Sequence, residues 1–198
     1  MPNPFRQISS NSEKAVVAWA TRSFAGASTF RMFAKNHSEK IRKFLEDEVG
    51  NCSDLLQAHS QRDYAQRLFS HISNFCNSPI RMNSKSTNRG HGPGFGQAAK
   101  VVNLYVKQYL LRPEFMGRAE ARVARRLYKF AHVPLDRIVL DHAWEEFHVE
   151  LSRQGIKSQP KMSRLGKREY EIIQNVIFQK AKKLGLPPLA YDFRWADR

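Results

Sequence analysis

The sequence predicts an all-α protein, a multi-helix globular domain, on three observations. Apolar residues recur at spacings of three and four along most of the 198 residues, the period of a helix that buries one face. Strict apolar and polar alternation never runs long enough to define a strand. Residues that start and stop helices punctuate the chain where the apolar pattern breaks.

The first helix is predicted from about Asn11, with Val16, Trp19, Ala20 and Phe24 on its inner face and apolar material continuing to Phe30 and Phe33. Ser38 reads as the cap of a second helix carrying Ile41, Phe44, Leu45 and Val49, which Gly50 ends. Ser53 opens a third, with Leu55, Leu56, Tyr64, Leu68, Phe69, Ile72 and Phe75 inside. Asn77 to Gly96 reads as a loop, closing in the Gly/Pro-rich hairpin Gly90-His91-Gly92-Pro93-Gly94-Phe95-Gly96. From Gln97 to Leu111 apolar residues cover most of the circumference, as expected of a central helix. An Arg-rich helix follows over Ala119 to Phe130. Pro134-Leu135-Asp136 then starts a helix running through Ile138, Ala143, Trp144, Phe147 and Leu151. After a link at Gly155 to Ser163, a last long helix carries Tyr170 to Ala181 and stops at Gly185. Pro187-Pro188 blocks its extension, and Trp195 is expected to dock back on the core. A single domain over 1–198 fits this length, with room for two lobes: 1–77 plus 164–198 flanking, and 78–155 holding the hairpin and the chemistry.

Charge narrows the function. Lys and Arg number 33 against 18 Asp and Glu, a formal net charge of +15, which points to a polyanionic partner. The excess is uneven: residues 78–132 carry a net +9 and residues 151–183 a net +7, with an acidic island of −4 at 133–150 between them. Such blocks can be solvated helix faces, but two on one small domain favour a ligand that supplies phosphates. No apolar run reaches membrane-spanning length, and the amino end lacks a signal-peptide core. With only Cys52 and Cys76, neither a disulfide framework nor a cysteine metal site can be built. A cytoplasmic monomer without metal or cofactor is the expectation.

Three features carry chemistry. Gly92, Gly94 and Gly96 leave backbone amides unscreened just before a helix start, where a phosphate could rest; an ordinary connection is the plainer account. Lys100 and Lys107, about two turns apart, project from one helix face. A desolvated lysine there would hold its proton less tightly and could act as a nucleophile, although a lysine with its stem along the surface is the commoner case. Asp136 sits at a helix start, where free amides hold a carboxylate ionised, either as a simple cap or as a stabiliser of positive charge.

In this order, a glycine hairpin, a helix bearing a lysine, a basic stretch and Pro-x-Asp opening the next helix, the features resemble the helix-hairpin-helix DNA glycosylase superfamily. Lys100-Val-Val-Asn-Leu-Tyr-Val-Lys107-Gln-Tyr-Leu110 is most similar to its archaeal-type 8-oxoguanine glycosylase branch. The resemblance covers roughly Gly90 to Ala143. It implies an enzyme of DNA repair that flips a base from double-stranded DNA and excises it, with Lys100 as Schiff-base lysine and lyase nucleophile and Asp136 as the acid assisting departure. Gly92, Gly94, Gly96, Arg89 and Lys107 would face phosphates, as would Arg81, Lys85, Arg122, Arg125 and Arg126. Trp144, Phe147 and Trp195 could stack on the extruded base, although each is more often core. The chain departs from the pattern in one respect: many members place the lysine two residues after the last hairpin glycine, where Ala98 stands here. In that register Asp136 and water would act alone. The base is left open, between oxidised guanine and a hypermodified base of invading phage DNA.

Two other readings remain. A non-catalytic DNA-binding module would use the hairpin as a phosphate grip and Lys100 as one more cation. A metal-dependent nuclease would need His142, Glu145 and His148, whose spacing does not put both histidines on one helix face.

Overall fold

The computed structural model describes residues 20–21, 27–50, 52–83, 91–111 and 118–196. The fold is all-α: the described residues contain no strand, only an isolated antiparallel bridge between Phe33 and Met82. The helix predicted from Asn11 lies almost wholly outside the described residues, as do Lys85 and Arg89.

A single turn, α1 (Ala27–Phe30), precedes α2 (Ser38–Phe44), which widens into a π-helical turn at Leu45–Val49. Ser38 is the first helical residue rather than the predicted cap, a position taken by His37. Gly50 ends the turn at a φ of +48°, a left-handed conformation that favours glycine, and donates its N–H to Leu45 O. The helix predicted to run unbroken from Ser53 is two helices, α3 (Ser53–Leu56) and α4 (Gln61–Cys76). Apolar spacing carries across the break, but Ser60 accepts a hydrogen bond from Asp63 N–H and starts α4 afresh.

The central element is α5 (Phe95–Leu110), in which Ala98, Ala99, Val101, Val102, Asn103, Tyr105, Val106, Tyr109 and Leu110 are all buried. A helix so apolar is stable only with neighbours on several sides. Here α4 lies along one side, and α6 (Arg118–Leu127), α8 (Lys167–Lys183), the π turn and a 3₁₀ turn at Met162–Arg164 enclose much of the rest. Asp136 caps α7 (Arg137–Arg153), which packs on α8. The tail forms a helix that the Pro-Pro pair concealed, α9 (Ala190–Ala196). Tyr191 and Trp195 dock it on α7: the two rings lie 4.8 Å apart, Tyr191 meets Phe147 edge-on at 5.6 Å, and Trp195 Nε1 donates to Glu146 at 2.9 Å. No helix among the described residues is long and apolar enough to cross a membrane.

Candidate active site

Helix α5 places Lys100 and Lys107 on one face, and two carboxylates from distant parts of the chain meet them. Asp136 comes from the start of α7. Its backbone is extended, its Oδ1 accepts from Val139 N–H at 3.0 Å, and its Oδ2 lies 3.8 Å from Lys100 Nζ. That separation makes an ion pair but exceeds a direct hydrogen bond, so neither group is locked to the other. Asp192, from α9, accepts a hydrogen bond from Lys107, whose ammonium also rests over the Phe193 ring at 4.6 Å.

Burial separates the two partners. The Lys100 side chain is 12% exposed and that of Asp136 34%. Desolvation lowers the proton affinity of Lys100 from the ordinary lysine value, and outweighs the opposing pull of Asp136 and, more weakly, Asp192. The result is an amine more readily deprotonated than a surface lysine, beside a carboxylate of opposite charge. Tyr128 also feels Asp192, and burial together with that charge raises its pKa.

This arrangement has a thermodynamic consequence. A lysine whose folded-state pKa is lowered costs stability wherever the unfolded chain still binds the proton. The cost shrinks as pH rises towards 10.5, the ordinary value. Lys100→Met is therefore expected to raise the unfolding free energy by about 1 kcal/mol near neutral pH. Urea unfolding at several pH values checks this: the variant's advantage should narrow towards about pH 10.

The structure assigns other residues differently from the sequence expectation. Gly94 N–H donates to Gln97 Oε1 at 2.8 Å and Gly96 N–H to Leu165 O at 3.1 Å, so these two amides are not free to grip a phosphate. Glycine is required at 96 for another reason: a Cβ there would lie 2.3 Å from Met162 O. At Gly92 a Cβ would lie 2.9 Å from Cys76 O. Both let backbones approach closely. Lys107 is held by Asp192 rather than presented to phosphate. Phe147 and Trp195 are buried in the α7–α9 interface, where no base can stack on them, and Trp144 is half-buried beside His148. His142 pairs with Glu145 and stacks on Trp195.

Cations do reach the surface elsewhere. Arg122, Arg125, Arg126 and Lys129 are exposed along one side of α6 and its end, opposite the buried Ala124 and Leu127. Arg126 donates to Ala58 O at 3.3 Å, and Arg81 to Ser78 O and Ile80 O. Neither Asp192 nor Tyr128 is recognisable at this site from the sequence, because only the docking of α9 brings the aspartate there.

No family model matches the chain, and neither a curated protein nor a solved structure resembles it closely enough to indicate kinship.

Proposed function

We propose that the protein is a DNA glycosylase that excises a damaged or modified base from double-stranded DNA, with Lys100 serving as a Schiff-base nucleophile and so as an abasic-site lyase. The observation that carries this reading is the ion pair of a partly buried amine with a carboxylate fixed by a helix start, 3.8 Å apart. The order of motifs from Gly90 to Ala143 supports it, as does the arginine face of α6 as a seat for phosphates.

In this reading the target nucleotide leaves the stack, at a cost of a few kcal/mol that damage or mispairing lessens. The C1′–N bond breaks with its electron pair passing to the base, and Asp136 stabilises the positive charge that develops at C1′. The Lys100 ammonium gives one proton to the departing base, its neutral amine attacks C1′, and a second proton passes from the nitrogen to Asp136. The C1′–O4′ bond then breaks as O4′ takes the proton held by Asp136, leaving an iminium between C1′ and Lys100 and the carboxylate restored. Loss of a C2′ proton expels the 3′ phosphate and cuts the strand, and water hydrolyses the iminium to restore the lysine.

The test uses duplexes bearing oxidised guanine, a hypermodified pyrimidine of the phage type, or only normal bases. The expected result is strand cleavage at one modified base, lost in Lys100→Gln. Base release that persists in that variant, revealed by alkali, would confine the reaction to Asp136 and water. Salt-sensitive binding with no release from any duplex would replace the enzyme with a non-catalytic DNA-binding module.

A further inference from the structure

A groove of about 570 Å³ is formed by the end of α6, the end of α8 and the Pro187-Pro188 pair. Neither Lys100 nor Asp136 lines it. Its apolar lining includes the rings of Tyr128, Phe130 and Phe178. All three rings are half-buried, and Tyr128 and Phe130 are anchored by packing on the core. Among the described residues no other ring and no cation rests on any of them. Leu186 extends the apolar lining and is 48% exposed. Open apolar surface of this kind marks a place that a ligand covers.

The groove is also cationic. Arg125 and Lys129, about one turn apart on one side of α6 and its end, line it, and α8 contributes Lys182. All three are exposed. No acidic residue lines the groove, and none pairs with these cations among the described residues. Arg125 and Lys129 belong to the same face as Arg122 and Arg126, so the positive charge runs on past the groove instead of closing on one point. An extended polyanion matches that distribution better than a single compact anion.

Two further features narrow the ligand. The backbone donors of the lining are already spent: Tyr128, Lys129 and Phe130 donate to Ala124, Arg126 and Leu127, and Gly185 and Leu186 donate to Lys182 and Ala181. Arg125, Phe178 and Lys182 lie inside helices, and the two prolines have no N–H. An extended peptide finds no amide here to pair with. Apart from the Tyr128 hydroxyl, no neutral polar side chain lines the groove, so little is present to read the edge of a base. Rings for flat faces and cations for phosphates, without edge readers, are the parts that hold an unpaired strand whatever its sequence. A duplex keeps its bases stacked on one another and cannot offer them to these rings.

We propose that this groove binds a single strand of nucleic acid, with bases stacked on Tyr128, Phe130 and Phe178 and phosphates on Arg125, Lys129 and Lys182. This is a binding function. It needs no chemistry at Lys100 and holds whether or not that lysine reacts.

Photocrosslinking of the full chain to a short oligothymidine carrying one iodouracil, followed by peptide mapping, tests it. The expected adduct is on Tyr128, Phe130 or Phe178. In fluorescence anisotropy Phe178→Leu, which keeps an apolar wall but removes the aromatic face, should weaken the oligothymidine about tenfold and leave a duplex of equal length unchanged. Lys182→Gln changes an exposed side chain and leaves the fold alone. It should lower the slope of log affinity against log salt by about 0.7 on the single strand and not on the duplex. The inference is overturned if no adduct forms in the groove, if either variant binds the single strand unchanged, or if Phe178→Leu weakens the duplex as much. It is overturned in favour of a free nucleotide if thymidine monophosphate displaces the strand as well as unlabelled oligothymidine does, and in favour of a protein partner if an acidic peptide containing phenylalanine does so. None of these readouts depends on base release or strand cleavage, so a failure here leaves the glycosylase reading to its own test.

Discussion

Asp136→Asn is expected to slow base release about a thousandfold while leaving the fold intact. Asparagine caps a helix as well as aspartate and can still accept from Val139 N–H, so the start of α7 keeps its hydrogen bond. What disappears is the negative charge 3.8 Å from Lys100 Nζ. That charge has two roles in the proposed reaction: it stabilises the sugar cation and it receives the amine's proton. Removing one preorganised electrostatic partner of a transition state costs up to about 4 kcal/mol, hence the factor. On a duplex whose base is already gone the first role is void, so attack by Lys100 on the bare sugar should suffer much less. Single-turnover rates on intact and abasic duplexes check the contrast. Equal losses on both would assign Asp136 to positioning the lysine alone.

Gly96→Ala is expected to destabilise the protein by about 3 kcal/mol or more. The added methyl would sit 2.3 Å from Met162 O and 2.8 Å from Leu165 Cβ. The first of these is backbone and cannot rotate aside. Relief requires moving the 3₁₀ turn away from α5, which stretches the hydrogen bond from Gly96 N–H to Leu165 O. Gly96 lies one turn before Lys100, so the same shift displaces the amine. Urea unfolding should show a lower midpoint with an unchanged slope. A loss below about 1 kcal/mol would mean that the contact is loose.

Much of this architecture was legible because local and tertiary demands agree in it. Helices α5, α7 and α8 announce themselves by apolar period and by their boundaries, with Asp136 at one start and Gly185 beyond one end. Lys100 and Asp136 could be singled out for the same reason: a lysine in an otherwise apolar helix and an acid at a helix start are each visible in one dimension. Their contact is a property of how α5 and α7 pack. Where the sequence misled, a local signal had more than one meaning. Glycines before a helix are equally suited to gripping phosphate and to letting backbones touch, and what decides between them, Met162 and Leu165, lies far along the chain. The apolar residues from Leu55 to Phe75 keep helical spacing through a break that Ser60 and Asp63 impose. Lys107 looked available because its partner Asp192 follows a Pro-Pro pair, in a tail that carries no helix signal of its own.

Reductive trapping tests the reactive amine most directly. A duplex with one preformed abasic site is incubated with the protein and borohydride, and the adduct is digested and mapped by mass spectrometry. The account predicts a single covalent link, on Lys100, absent from Lys100→Gln. An adduct on another lysine or on the amino terminus, or none, would contradict it.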